Sequence, residues 1–229
     1  MTINPEKKQY SIVLLGDFNP MMFQPEWFNR NLIISPEEVD FAKSQTAATP
    51  LIVTPQLTAF RTSQFSIKIE QKRFQVVCEK EPFIVIKDFI VKTFEKLGGY
   101  TINAYGFNYS AHYAVDSLET YQKIGDNLAP KKYWESLLGD EITGTERKSG
   151  LTAIQMQKNK EEKKGQISLI LQPSIILKPG VFISCNDHTN IDIEDSNAEQ
   201  VVDQINKNFD DSIEFMNKVQ IDLLTEAIK

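Results

Sequence analysis

The sequence predicts an α+β fold: a largely antiparallel sheet built from two strand-rich halves, with long helices packed on one face. Three observations carry that reading. Apolar runs with strand character follow one another through short turns, which favours antiparallel order over a doubly wound parallel sheet. Strands, a hairpin and then a helix occupy residues 51–97, and the same order returns over 151–228, although the residues do not align as a repeat. Two segments keep a helical apolar period, and one of them is a long C-terminal helix.

The elements follow in order. Tyr10 to Leu15 is a short apolar strand, and Gly16-Asp17-Phe18-Asn19-Pro20 is a tight turn. Phe23 to Phe28 is one helical turn whose three aromatics, Phe23, Trp27 and Phe28, plug an end of the core. Ser35-Pro36-Glu37-Glu38 opens a helix: a Ser cap, Pro at the first position, and Glu three residues after the cap. That helix ends near Lys43 or Ser44. Leu51 to Phe60 is a strand in which Pro55 marks an edge or a bulge. Phe65, Ile67 and Ile69 alternate with polar residues, and Phe74, Val76 and Cys78 do the same on the return. A helix over Glu81 to Leu97 has Pro82 at its first position and Gly98-Gly99 as its stop. Its stripe is Phe83, Ile86, Ile90, Phe94 and Leu97.

Tyr100 to Tyr113 is a long strand. A helix over Asp116 to Ile124 is capped by Asp116, and another starts at Pro130 and runs to Leu138. Gly139 to Gly150 is a polar loop. Leu151–Gln157 and Gln166–Leu171 are strands around a charged tip, Lys158 to Gly165. Lys178-Pro179-Gly180 is a type II turn signal, with Gly180 supplying a positive φ. Val181 to Cys185 is the last strand, and Asn186 to Asn190 leaves it. The final helix runs from about Ser196 to Ile228, a span of roughly 50 Å. Val202, Ile205, Phe209, Met216, Val219 and Leu223 form its heptad-like seam, interrupted at Ser212. Such a helix either lies along the sheet or projects to meet a partner.

The chain of 229 residues is long enough to bury one large core, and it is read as one domain, 1–229, whose halves would be 1–138 and 139–229. Its 41% hydrophobic and 24% charged residues are ordinary for a soluble protein. No apolar run reaches the roughly 20 residues that span a bilayer. The polar stretch Met1 to Gln9 lacks the apolar segment of a signal peptide, so a cytoplasmic location is expected. Cys78 and Cys185 are expected as buried thiols. The net charge of -6 argues against nucleic acid, which needs clustered cations. The local exceptions are Lys68, Lys72 and Arg73, and the Lys158–Lys164 tip, which carry a third, weaker reading as nucleic-acid contacts.

No complete catalytic signature is present. The 10 glycines form no phosphate loop, and there is no G-x-S-x-G elbow. Glu70-x-Lys72 matches half of a metal-dependent nuclease site, but the preceding strand, Leu51 to Phe60, has no acidic residue to complete it. The only two histidines, His112 and His188, each end a predicted strand. If those strand ends meet, His112, Asp187, His188 and Asn108 are the catalytic or ligand-binding candidates, since an imidazole beside a carboxylate can act as a general base. Cys78, His112, Cys185 and His188 have zinc-ligand chemistry but match no usual zinc spacing, so neither a metal nor a cofactor is expected.

Several stretches stand out together: Leu15-Gly16-Asp17-Phe18-Asn19-Pro20, Phe23-Gln24-Pro25-Glu26-Trp27-Phe28, Gly106-Phe107-Asn108 with His112-Tyr113, Leu128-Ala129-Pro130-Lys131 with Trp134, and Asn186-Asp187-His188. As a set they resemble a family of bacterial proteins of about this length with no assigned activity. That family would carry Gly-Ile-Asn in place of Gly106-Phe107-Asn108, and His-Phe in place of His112-Tyr113. The resemblance covers nearly the whole chain. It implies a single-domain bacterial protein and no catalytic residue or substrate.

The missing chemistry and the long helix lead to an expected function. The chain is read as a non-enzymatic protein-binding or assembly subunit, an accessory component of a multi-protein bacterial system. It would meet a protein partner or a second copy through the seam Val202, Ile205, Phe209, Met216, Val219 and Leu223, or through an open sheet edge. The alternative is an enzyme or small-ligand protein with a site near His112 and His188.

Overall fold

The computed structural model describes residues 3–46, 49–138, 150–161, 164–192 and 196–229. Its strands are β1 (Lys7–Gly16), β2 (Ile52–Val53), β3 (Leu57–Arg61), β4 (Ser66–Glu70), β5 (Arg73–Cys78), β6 (Ile102–Ala114), β7 (Ile154–Asn159), β8 (Gly165–Pro173) and β9 (Gly180–Asn190). Its helices are α1 (Pro25–Arg30), α2 (Pro36–Lys43), α3 (Ile84–Glu95), α4 (Leu118–Leu128), α5 (Lys132–Leu138) and α6 (Ala198–Ile228). The strands form one sheet in the order β2-β3-β4-β5-β1-β6-β9-β8-β7, and every neighbouring pair is antiparallel.

That order is a palindrome about the β1–β6 pair. Outward on one side lie β5, β4 and β3, and on the other β9, β8 and β7. Each half runs strand, two helices, a three-strand meander, then a helix, with β2 added to the first. The topological repeat therefore divides the chain at Gly98-Gly99, earlier than the division at 138 expected from the sequence.

Alternation decides which side of the sheet is covered. Tyr10, Ile12 and Leu14 of β1 pair across β6 with Tyr109, Phe107 and Tyr105, and all six are buried. α3 and α6 pack on this inward row. Phe83 lies 5.7 Å from Tyr10, Phe94 5.2 Å from Phe74, and Phe209 5.3 Å from Tyr10, measured between ring centroids. The outward row of the central strands carries Ser11, Asn108, Ser110, Ser184 and Asn186, as an antiparallel sheet with one uncovered face should.

α6 runs in the same direction as β6 and is fastened to it at three heights. Tyr105 Oη accepts from Asn208 Nδ2 (3.1 Å), Tyr109 Oη donates to Asn217 Oδ1 (3.4 Å), and Tyr113 Oη donates to Gln220 Oε1 (3.0 Å). Its last turns pack on α4, where Asn127 Nδ2 donates to the carbonyl of Ala227 (3.0 Å). The helix lies along the sheet and against α3 and α4, the first of the two placements that the sequence left open.

Several local expectations hold. Ser35 caps α2 by accepting from the Glu38 N–H (3.4 Å), with Pro36 first in the helix. Phe23 and Phe28 are fully buried, and Phe23 meets Phe74 at 5.3 Å. Others are corrected. The strand predicted over 51–60 is two strands that pair as a hairpin through Thr54-Pro55-Gln56, with Thr54 Oγ1 accepting from the Leu57 N–H (3.0 Å). Pro82 stands ahead of α3, and Phe83 takes the cap position with its ring against Tyr10. The cap of α4 is Ser117 rather than Asp116; it accepts from the Thr120 N–H (3.0 Å).

Gly180 has no positive φ and opens β9, so the type II turn is not formed. A side chain there is excluded by space, because a Cβ would stand 2.6 Å from Leu177 Cβ and 2.9 Å from the Tyr113 carbonyl. The strand predicted to end at Cys185 continues to Asn190. Its polar residues read as a turn, but β6 pairs with them on one side and β8 on the other. The loop predicted over 139–150 falls, apart from Gly150, outside the described residues, as do two residues of the 158–165 tip.

Candidate functional site

The β6–β9 ladder separates the residues that the sequence suggested might share a site. His188 stands opposite Gly106, six positions along β6 from His112, which is about 20 Å at strand spacing. The two histidines also have different neighbours. His112 Nδ1 is 2.9 Å from Ser174 Oγ, and its ring lies 4.7 Å from Phe182. His188 Nε2 is 3.0 Å from Asn190 Oδ1. Asn108 Oδ1 accepts from Asn186 Nδ2 (2.7 Å) on the same outward face.

Asp187 and Cys185 fall on the inward row, so neither faces the histidines. Cys78 is also inward and lies three strands from Cys185, about 14 Å at the usual strand spacing. The suggested zinc set Cys78, His112, Cys185 and His188 is therefore split between two faces. Among the described residues, no group of three or more His, Cys, Asp or Glu is placed to hold a metal ion. Both thiols are buried and reduced, and burial pushes the Cys185 thiol up to about 12.

The seam on α6 is used within the chain. Val202, Ile205, Phe209 and Met216 are buried, Leu223 is half-buried against the core, and Val219 is half-buried. Most of that seam is therefore taken up by the chain's own core. Three of the cations proposed for nucleic acid are paired: Lys68 with Glu70 (2.9 Å), Lys72 with Asp17, and Lys160 with Asp187.

Two features remain that the periodicity reading passed over. The first is a pocket of about 280 Å³ between α6 and the outer part of the second meander. Phe107 and Tyr105 of β6, Ile167 of β8, and Asp187 and Thr189 of β9 face Asn208, Asp211, Ser212 and Phe215 of α6 across it. Lys160 reaches in from the hairpin tip, pairs with Asp187 and donates to Thr189 Oγ1 (2.7 Å). The pair is largely buried, with 25% and 17% of the two side chains exposed. Ser212 is buried and accepts from Tyr10 Oη at 3.5 Å, while burial raises the Tyr10 hydroxyl well above its usual pKa.

The second feature is an apolar surface at one end of the sheet. α5 buries none of its residues: Tyr133, Trp134, Leu137 and Leu138 are 64%, 50%, 75% and 69% exposed. Trp134 and Leu138 line a hollow with Leu151, Thr152 and Ala153, the residues leading into β7. β7 is the edge strand, and its Met156 is 70% exposed. The opposite edge, β2, is two residues long and followed by Pro55, a blunted end; β7 is six residues long with one charge, Lys158.

Fold and site together define a one-layer antiparallel sheet with helices on one face, a side pocket, and one long edge strand that pairs with no further strand among the described residues. No protein-family model matches the chain, and no curated protein sequence matches it. Among the described residues no helix is long and apolar enough to cross a membrane.

Proposed function

We propose that the chain is a non-enzymatic protein-binding or assembly subunit that joins a second copy of itself, β7 against β7, with α5 completing the contact. The observation that carries this is the run of exposed Tyr133, Trp134, Leu137 and Leu138 beside an unblunted edge strand. Contiguous exposed apolar surface marks interaction sites, and an edge strand offers a row of backbone donors and acceptors to another strand. An antiparallel edge can meet itself about a two-fold axis, so the contact closes as a dimer. Centring the pair on Met156 sets Met156 against its own copy and Ile154 against Lys158, all on the side that α5 flanks. The rival reading, an enzyme or small-ligand protein with a site near His112 and His188, has less support, because the two residues stand six positions apart along the β6–β9 ladder.

The test is mass by light scattering during size-exclusion chromatography. A dimer is expected for the native chain and a monomer for Met156→Lys combined with Leu137→Glu. Both changes fall on exposed positions, where substitutions usually shift stability by no more than about 0.5 kcal/mol. A native chain that stays monomeric at about 100 μM, where contacts of even modest affinity assemble, counts decisively against the proposal.

A further inference from the structure

We propose that the pocket between α6 and the second meander binds a small organic cation, a primary amine whose charged end meets Asp211 and whose body lies against Phe215. The inference is independent of the assembly reading. It starts from two breaks in the apolar pattern. β9 places Val181, Ile183 and Cys185 inward, and the next inward residue is Asp187. The α6 seam places Val202, Ile205, Phe209 and Met216 inward, and the seam position between the last two is Ser212. These breaks lie 25 residues apart in sequence (212 − 187), yet both line the same cavity. A core that was only packing would fill both positions with apolar groups. Local rules broken together at one place are the mark of a site.

The lining selects the ligand. Its cation, Lys160, is already committed to Asp187 and to Thr189. Its second carboxylate, Asp211, has no ion-pair partner among the described residues, so the pocket carries one negative charge more than it neutralises. An ammonium group answers that charge, and the Phe215 ring, 39% exposed at the rim, offers a face to a cation or to the ligand's carbon body. A cavity of about 280 Å³ suits a small ligand rather than a peptide or a nucleotide.

The experiment uses the full-length protein and a matched set of probes in isothermal titration: tyramine, its neutral alcohol analogue tyrosol, the anion 4-hydroxyphenylacetate, and agmatine as an aliphatic amine. Both amines are expected to bind at least about tenfold tighter than tyrosol and 4-hydroxyphenylacetate. Asp211→Asn should remove that preference, and Phe215→Ala should weaken tyramine by a similar factor. Both positions are on the exposed side of α6, and an unchanged circular dichroism spectrum and melting temperature would show that the variants fold. The proposal is overturned if neither amine saturates below about 10 mM. It is also overturned if the neutral or anionic probe binds as well as the amines, or if Asp211→Asn leaves amine binding unchanged.

Discussion

The two halves of the palindromic sheet cover themselves with a helix in different ways. α3 is held by dry packing. Phe89 meets Phe28 and Phe65 at 4.9 Å each, and Phe74 meets Phe94 at 5.2 Å and Phe23 at 5.3 Å. α6 shares the aromatic cluster at Phe209 but adds polar fastenings: three tyrosine hydroxyls bonded to side-chain amides, a fully buried Gln220, and the Ser212 gap. Dry packing is strong and tolerant of small slides. Buried hydrogen bonds contribute less net energy, but each is costly to leave unmade. Rotating or sliding α6 by a residue would orphan several groups at once. The first half illustrates how the fold is stabilised, and the second how one helix register is selected next to a pocket.

Three substitutions sharpen that contrast, in descending order of effect. Phe74→Ala empties the centre of the dry half and should cost about 3–5 kcal/mol, read from urea unfolding. A loss below about 1 kcal/mol would mean that this half is loosely packed.

Gln220→Ala acts on the polar half. Gln220 accepts from Tyr113 and donates to the Tyr109 carbonyl (3.0 Å), so the change strands the buried Tyr113 hydroxyl and removes a second bond to a carbonyl within the β6 ladders. A loss of about 2–3 kcal/mol is expected. Combined with Tyr113→Phe, the cycle should show a coupling of at least about 0.5 kcal/mol. Strict additivity would mean that the tyrosines and α6 do not form a network.

The smallest effect is near the end of β6, where His112 lies beside Ser174. Burial, with some help from the nearby Lys7 charge, holds His112 below the usual histidine pKa. The unfolded chain therefore takes up the proton first. Stability from this residue is full above about pH 6.5 and is lost as pH falls through the folded-state value. Melting temperatures of the native protein and His112→Gln should converge on acidification from pH 7.5 to 5. Parallel curves would remove His112 from the pH response.

Much of the architecture was legible in local pattern. Ser35-Pro36 announced α2 through the chemistry of its cap, and alternation at Phe65–Ile69 and Phe74–Cys78 gave the hairpin of β4 and β5. The end of β9 was not legible. Asn186 to Asn190 have turn-forming side chains, and only the strands on both sides keep them extended. The site was half legible. Asp187 was singled out, but for a partnership with His188 that strand alternation forbids, since adjacent residues point to opposite faces. Lys160 stood out only as part of a charged tip read as a nucleic-acid contact, and Asp211 gave no signal, because an aspartate on a helix surface looks like ordinary solvated charge.

The sequence by itself determined where most strands and helices lie, that the order is antiparallel, and that no complete catalytic motif is written in it, because periods, caps and motifs are local properties of neighbouring residues. Only the tertiary structure decided that the α6 seam is consumed by the chain's own sheet, that the histidines stand apart, and that Asp187, Ser212 and Lys160 converge. Those facts depend on strand order and on which face each residue takes, and both are set by pairings between residues distant in the chain.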